Sequence, residues 1–518
     1  MQDKAESKIY KWLALLVVII GTFMAILDTS IVNIAIPKMM AVFNVSTDKV
    51  QWVLTGYMLT MGTVIPLTGY LADTFGTKKT YIWALGVFTL GSALCGLAWS
   101  NSSMVAARVV QAAGGGMIMP VSMAILYQVI PREERGMALG IWGIAAMAAP
   151  AVGPTMSGYI VEHLDWRMIF TINIPVGVVG VILAALILKE SPKKPPNTFD
   201  FIGFFSVAVG LVSILYVLGE GSNVDWNSPQ TVGLLCLGAF SIVIFAVNEI
   251  FHQDPLLDLR LFKIMPFSLS ILVSSVTNIA LFGGIFLLPL FLQNLQGYSA
   301  MQAGILLFPS AVATGIAMPV GGKLFDKFGA RAVVVPGIVI IAWATFELSK
   351  ITIDTPSGTL VWLTVLRGVG LGLSMMPAST AGMNAVPPHM VARASALSNV
   401  VRQVAGSLGI AVLTTVMQHQ QSVTYVRLAE QVTWFNQGTM YLVNSVRNMF
   451  ILNGIPAVEA QGMAAGSIYG MVMKQAFLLA LNDTLLVTAV IALGAVPLAL
   501  LLKTRKHPPG TGPVHMPD

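Results

Sequence analysis

The chain is 518 residues long, 56% apolar and 10% charged, with a formal net charge of +6. That balance lies far outside soluble globular domains and describes a polytopic membrane protein. The surplus of Lys and Arg therefore bears on membrane sidedness before it bears on nucleic acid. Cys95 and Cys236, the two cysteines, each sit in an apolar run and read as packing residues, not as a disulfide framework or a metal site.

A helix needs roughly 20 apolar residues to cross the hydrocarbon. Fourteen such runs are found, at 12–36, 50–72, 80–99, 104–128, 136–160, 168–189, 200–219, 231–251, 267–293, 302–325, 332–350, 359–384, 394–418 and 475–502. The first is too long for a cleavable signal and carries Asp28. All are expected to be helices, because lipid offers the backbone no other partner. With the N-terminus inside, 19 of the 29 cations fall on inside loops, among them Lys78, Lys79, Arg132, Arg135, Lys193, Lys194, Arg331, Arg393, Lys503, Arg505 and Lys506. Both termini are therefore expected in the cytoplasm. The long outside segment 419–474 mixes Arg, Glu and Gln with Met, Leu and Val, and reads as one or two amphipathic helices lying on the outer surface.

A charged hairpin between the second and third runs, Gly69-Tyr70-Leu71-Ala72-Asp73-Thr74-Phe75-Gly76-Thr77-Lys78-Lys79, recurs as Gly322-Lys323-Leu324-Phe325-Asp326-Lys327-Phe328-Gly329-Ala330-Arg331. The offset is 326 − 73 = 253 residues, about eight spans, two more than six-span halves would give. The reading is an all-α membrane fold of two six-helix bundles with two helices inserted between them. The expected units are 1–190 for the first bundle, 191–262 for the insertion, 263–507 for the second bundle with its outer loop, and 508–518 for a flexible cytoplasmic tail.

Ionisable side chains at membrane depth are costly and face a cavity or a partner. Asp28 in span 1 and Arg108 in span 4 lie at similar height and are expected to face each other across a cavity. A carboxylate that meets or loses a cation changes its proton affinity with conformation, as proton coupling requires. A static ion pair or a helix-start cap are the alternatives. Arg367-Gly368-Val369-Gly370-Leu371-Gly372 is the second-half counterpart of the Arg108 segment, and its glycines read as helix packing, since no strand precedes them. Gly153 and Pro154 mark a hinge in span 5. The candidate substrate cavity takes Asn33, Tyr57, Gln111, Met119, Phe282, Phe286, Gln293, Arg367, Met375, Arg402 and Gln403.

With these motifs in hand, the chain resembles the major facilitator superfamily, and within it the fourteen-span drug:proton antiporters of the EmrB/QacA type. The likeness rests on the hairpin, on Leu27-Asp28-Thr29-Ser30-Ile31-Val32-Asn33-Ile34-Ala35-Ile36-Pro37, on Asp165-Trp166-Arg167 with Asn173-Ile174-Pro175-Val176-Gly177, on Pro255 to Phe262, and on Arg402-Gln403-Val404-Ala405-Gly406-Ser407. It implies export of amphipathic or cationic compounds from the bacterial cytoplasmic membrane, driven by the proton gradient without a bound cofactor. Asp28 would respond to protons with Arg108 as its partner. The two hairpins, through Gly69, Asp73, Gly76, Lys78, Gly322, Asp326, Gly329 and Arg331 with nearby cations such as Arg135, would latch the inner gate. Gly153 and Pro154 would be the antiporter motif, although Ala149 and Ser157 stand where glycines are usual, as Ala112 does in span 4. The partners implied are a small molecule, the lipid bilayer and, in a two-membrane organism, a periplasmic adaptor protein, with no nucleic acid. An exporter dedicated to one fatty acid, siderophore or antibiotic is the nearest alternative. A membrane enzyme is disfavoured because no DDxxD, HExxH, Ser/His/Asp or GxxxxGK[ST] pattern is visible, and a sensor because no soluble signalling domain is visible.

Overall fold

The computed structural model describes residues 2–191, 199–219, 225–226, 228–252, 255–432 and 437–502. The Pro192–Asn197 linker, Lys193, Lys194, Lys503, Arg505, Lys506 and the 508–518 tail lie outside them, as does the side chain of Pro154. Every regular element among the described residues is helical.

The first half contains α1 (Gln2–Phe43), α2 (Thr47–Val64), α3 (Leu67–Phe75), α4 (Thr77–Gly96), α5 (Asn101–Val129), α6 (Arg135–His163), α7 (Met168–Thr171) and α8 (Asn173–Ile187). Two helices follow, α9 (Phe201–Gly219) and α10 (Pro229–Phe251). The second half holds α11 (Met265–Asn294), α12 (Ala300–Phe328), α13 (Ala330–Leu348), α14 (Ser357–Asn384), α15 (Val391–Gln431), α16 (Gln437–Leu452) and α17 (Ala457–Leu500). Among the described residues, twelve helices are long and apolar enough to cross a membrane alone. The bent pair α2–α3 supplies a thirteenth crossing. The fourteenth expected span falls on α4, which is not apolar enough to count with them because Lys78 and Lys79 occupy its first turn.

Three expectations change. Span 2 is broken, with a 52° bend at Ile65-Pro66; proline carries no N–H for the helical ladder. Spans 13 and 14 do not stop near residues 418 and 475. They run on as α15, of 41 residues, and α17, of 44, each about 60 Å long or more against a hydrocarbon layer of about 30 Å. The segment 419–474 is therefore mostly the projecting ends of two spans, with α16 packed on α17 as its one separate helix. Cys236 is exposed on α10 and packs in no core, whereas Cys95 is buried.

Both copies of the hairpin turn on a single glycine. Gly76 ends α3 and starts α4 at φ 92°, and Gly329 does the same between α12 and α13 at φ 86°. Only glycine takes that backbone without strain. The two halves meet mainly along α6 with α12 and along α15 with α3 and α5, while α9 leans on both α2 and α15.

Candidate functional site

Helix α5 starts at a capping box, in which Ser100 Oγ accepts from the Ser103 amide at 3.2 Å. This sets Arg108 two turns inside the helix. On the neighbouring face, Gly91 and Gly114 let α4 and α5 nearly touch: a Cβ on Gly91 would lie 2.3 Å from Gln111 Cα, and one on Gly114 would lie 2.3 Å from Phe88 N. The close approach brings Ser92 and Cys95 of α4 against Gln111 of α5.

Asp28 of α1 lies at the centre, 1% exposed. Its Oδ2 accepts from Arg108 Nη1 at 2.5 Å, and its Oδ1 accepts from Gln111 Nε2 at 2.8 Å and Asn173 Nδ2 at 3.0 Å. Gln111 also donates to Ser92 Oγ at 2.7 Å and accepts a second Arg108 contact through Oε1 at 2.7 Å. Arg108 lies 3.9 Å from the Tyr57 ring centroid, a cation–π arrangement. The Tyr57 hydroxyl is buried without a hydrogen-bond partner. Burying two opposite charges costs several kcal/mol per ion unless the pair is well placed and its remaining lone pairs are satisfied. Here five helices, α1, α2, α4, α5 and α8, supply that environment.

Asp28 and Arg108 thus touch directly and are enclosed in the first half instead of facing each other across a cavity. Tyr57 and Gln111, expected on a cavity wall, belong to the same enclosed network. Ser92 and Asn173 are members of the network that the sequence does not mark as site residues. Their one visible signal is a polar side chain within an apolar run, which many packing serines and asparagines share.

The network abuts a seam between α1 and α6. Ser30 Oγ donates to Leu27 O at 2.9 Å and approaches Ala149 O at 3.4 Å, and a Cβ on Gly153 would lie 2.0 Å from Ser30 Oγ. Ser157 donates to Ile31 O at 2.7 Å. Ala149, Gly153 and Ser157 thus present one small-residue face of α6 to the turn of α1 that follows Asp28. Helix α6 is continuous through Gly153 and Pro154.

At the cation-rich face the two hairpins make related contacts across the halves. Asp73 Oδ2 accepts from Arg393 Nε at 3.0 Å, and Gly69 packs on Arg393, whose Cα would lie 3.2 Å from an added Cβ. Asp326 accepts from the Gly136 and Met137 amides at 3.2 Å each, at the N-terminus of α6, where the helix dipole favours an anion. A Cβ on Gly322 would sit 1.9 Å from Gly136 O. Arg135 pairs with neither carboxylate: its Nη1 donates to Asn384 Oδ1 at 2.9 Å, and its Nη2 to Tyr127 O at 2.6 Å. Lys78 stays within the first half, donating to Ala185 O at 2.6 Å. Arg331 is exposed.

The other expected cavity residues are spread out. Asn33 and Gln293 are exposed, and Met119, Phe282, Phe286 and Met375 are half-buried. Gln403 lines a crevice of about 130 Å³ with Gln51 and Thr55 of α2, Leu215 of α9 and Ser407 of α15. Arg402 Nη2 donates to Asn399 Oδ1 at 2.7 Å and lies 3.9 Å from Met123 Sδ of α5. Arg367 is buried against α11. At the opposite face Glu347 pairs with Lys350 at 2.9 Å, and Asp483 is half-buried.

A family model described as Major Facilitator Superfamily matches residues 18–410. The uncharacterized MFS-type transporter YhcA of Bacillus subtilis (strain 168) is 36% identical over 490 residues, 94% of this chain and 92% of the relative. The multidrug export protein EmrB of Escherichia coli (strain K12) is 29% identical over 470 residues, 90% of each chain. Among solved structures, that of the MFS proton:xylose symporter XylE bound to 6-bromo-6-deoxy-D-glucose superposes with a TM-score of 0.58 at 13% identity, covering 95% of this chain and 97% of the other.

Proposed function

The chain belongs to the major facilitator superfamily, a multi-pass membrane transporter and not an enzyme, and we propose that it exports amphipathic drug-like compounds in exchange for protons by alternating access. The observation that carries this reading is the enclosed carboxylate of Asp28, held by Arg108, Gln111 and Asn173 beside the α1–α6 seam. The likeness to a protein named as a multidrug exporter supports the substrate class.

In this reading, a proton arriving on Asp28 Oδ2 removes the negative charge that Arg108 Nη1 faces. The guanidinium is then a buried cation without its anion, which is costly enough to drive rearrangement. Movement of α1 at Leu27–Ile31 bears on α6 through Ser30, Gly153 and Ser157. The first turn of α6, in turn, holds Asp326 of the other half through the amides of Gly136 and Met137. Asp73 with Arg393 and Asp326 with α6 close the cation-rich side in this conformation, and their release opens it. The excess of cations there supports placing that side, with both termini, in the cytoplasm of a bacterium. In an organism with two membranes, the projecting ends of α15 and α17 with α16 are where we place contact with a periplasmic adaptor.

The test is transport in proteoliposomes under an imposed pH gradient. Gradient-driven accumulation of fluorescent amphipathic compounds that stops on adding a protonophore is expected; accumulation indifferent to the gradient overturns the reading.

A further inference from the structure

Arg367 of α14, the second-half counterpart of Arg108, donates through Nη2 to Ala280 O at 2.5 Å and Leu281 O at 3.2 Å of α11. The second half therefore repeats the arginine of the buried network but sets it against backbone carbonyls, where Arg108 meets a carboxylate. Arg367 is 4% exposed, and no salt bridge among the described residues involves it. It crosses α11 over Gly284, where an added Cβ would lie 1.8 Å from Nη1.

A second cation flanks the same stretch of α11. The carbonyl of Arg402 accepts from Asn278 Nδ2 at 3.0 Å, Gly406 packs on Asn278 and Phe282, and the Arg402 guanidinium points toward α5 of the other half. The acids of the second half lie at its ends. Asp326 is at the cation-rich face, Glu347 is paired with Lys350, and Asp483 follows Asn482, whose side chain donates to Ile351 O beyond α13. Asp28 and Arg108 offset each other, so among the described residues Arg367 and Arg402 are two guanidiniums in apolar spans with no carboxylate partner.

We propose that Arg367, assisted by Arg402, forms a subsite for an anionic group on the exported compound, a carboxylate, sulfonate or phosphate, so that the preferred substrates are organic acids rather than the cations expected from the resemblance. A buried guanidinium that lacks an anion is under-satisfied, and a planar oxyanion matches its paired donors. The proposal rests on the export reading, but binding alone tests it, with no gradient required.

The purified full-length protein is titrated with three probes of one skeleton: 1-naphthoate, neutral 1-naphthamide and the cation (1-naphthylmethyl)trimethylammonium. Naphthoate is expected to bind roughly tenfold or more tightly than the cation, and Arg367→Gln to weaken naphthoate by roughly tenfold while leaving naphthamide unchanged. Arg367→Lys retains part of the preference. Gly284→Ala, which pushes the guanidinium aside while keeping its charge, weakens naphthoate as well. Unchanged naphthamide binding shows that each variant is folded. If wild-type protein binds naphthoate no more tightly than the other probes, or if Arg367→Gln leaves naphthoate binding unaltered, the proposal is overturned. Anion preference persisting in a protein that ignores the pH gradient would defeat the coupling reading alone.

Discussion

At the scale of single residues, Asp28 is distinguished by the completeness of its surroundings. Three donors from two other helices reach its two oxygens, so removing one partner leaves a buried charge without its complement. Arg108→Gln is therefore expected to destabilise the protein by about 3–5 kcal/mol, read as a lowered midpoint of thermal unfolding in detergent. The double variant Asp28→Asn with Arg108→Gln should recover much of that loss, because both charges leave together; a loss equal to the sum of the two single variants would contradict the pairing. Asn173→Leu removes one hydrogen bond to a charged group and should cost about 1.5–3 kcal/mol. Asp28 and Arg108 were legible in the sequence because full charges are rare in lipid. Ser92 and Asn173 were not, because short polar side chains are ordinary helix-packing residues there. Their role depends on which faces of α4 and α8 turn toward α1, and no single span specifies that.

At the scale of elements, the hairpins were the most readable feature, and the structure gives their glycines a second use. Gly76 and Gly329 make the tight turns, while Gly69 and Gly322 let α3 and α12 press against the opposite half at Arg393 and Gly136. Gly322→Val should block that approach. Cysteines introduced near Asp326 should then become more reactive to impermeant thiol reagents, and export should fall although the protein still inserts. Exchanging the charges of Asp73 and Arg393 in one double variant should restore export that each single reversal abolishes; failure of the exchange to rescue would show that the ion pair is not what latches this face. The bend at Pro66 and the lengths of α15 and α17 escaped the sequence for a physical reason. Hydropathy reports the medium around a helix and not its continuity, so a helix that leaves the lipid looks like a loop. A bent span, in turn, looks like one run when both arms are apolar.

At the scale of the whole molecule, the repeat offset implies two extra helices, but not where they pack. Helix α9 leans on α2 of one half and α15 of the other, with Leu215 wedged against Gly62, where an added Cβ would meet its Cδ1 at 2.8 Å. Sequence carries no sign of this, because lipid-facing and protein-facing apolar residues are chemically alike. The projecting ends of α15 and α17 with α16 are distant from the Asp28 network in the chain, and no hydrogen bond of that network among the described residues reaches them. Replacing residues 433–456 by a short Gly–Ser connection is therefore expected to leave gradient-driven export in proteoliposomes intact, and loss of export there would assign that segment a part in transport itself. The central claim is that export is driven through Asp28. Its most direct measurement is proton release from the purified protein, in weakly buffered detergent solution, as a transported compound is added. The wild-type protein should release protons in proportion to the compound bound, while Asp28→Asn binds the compound and releases none. Equal proton release from the two proteins would contradict the account.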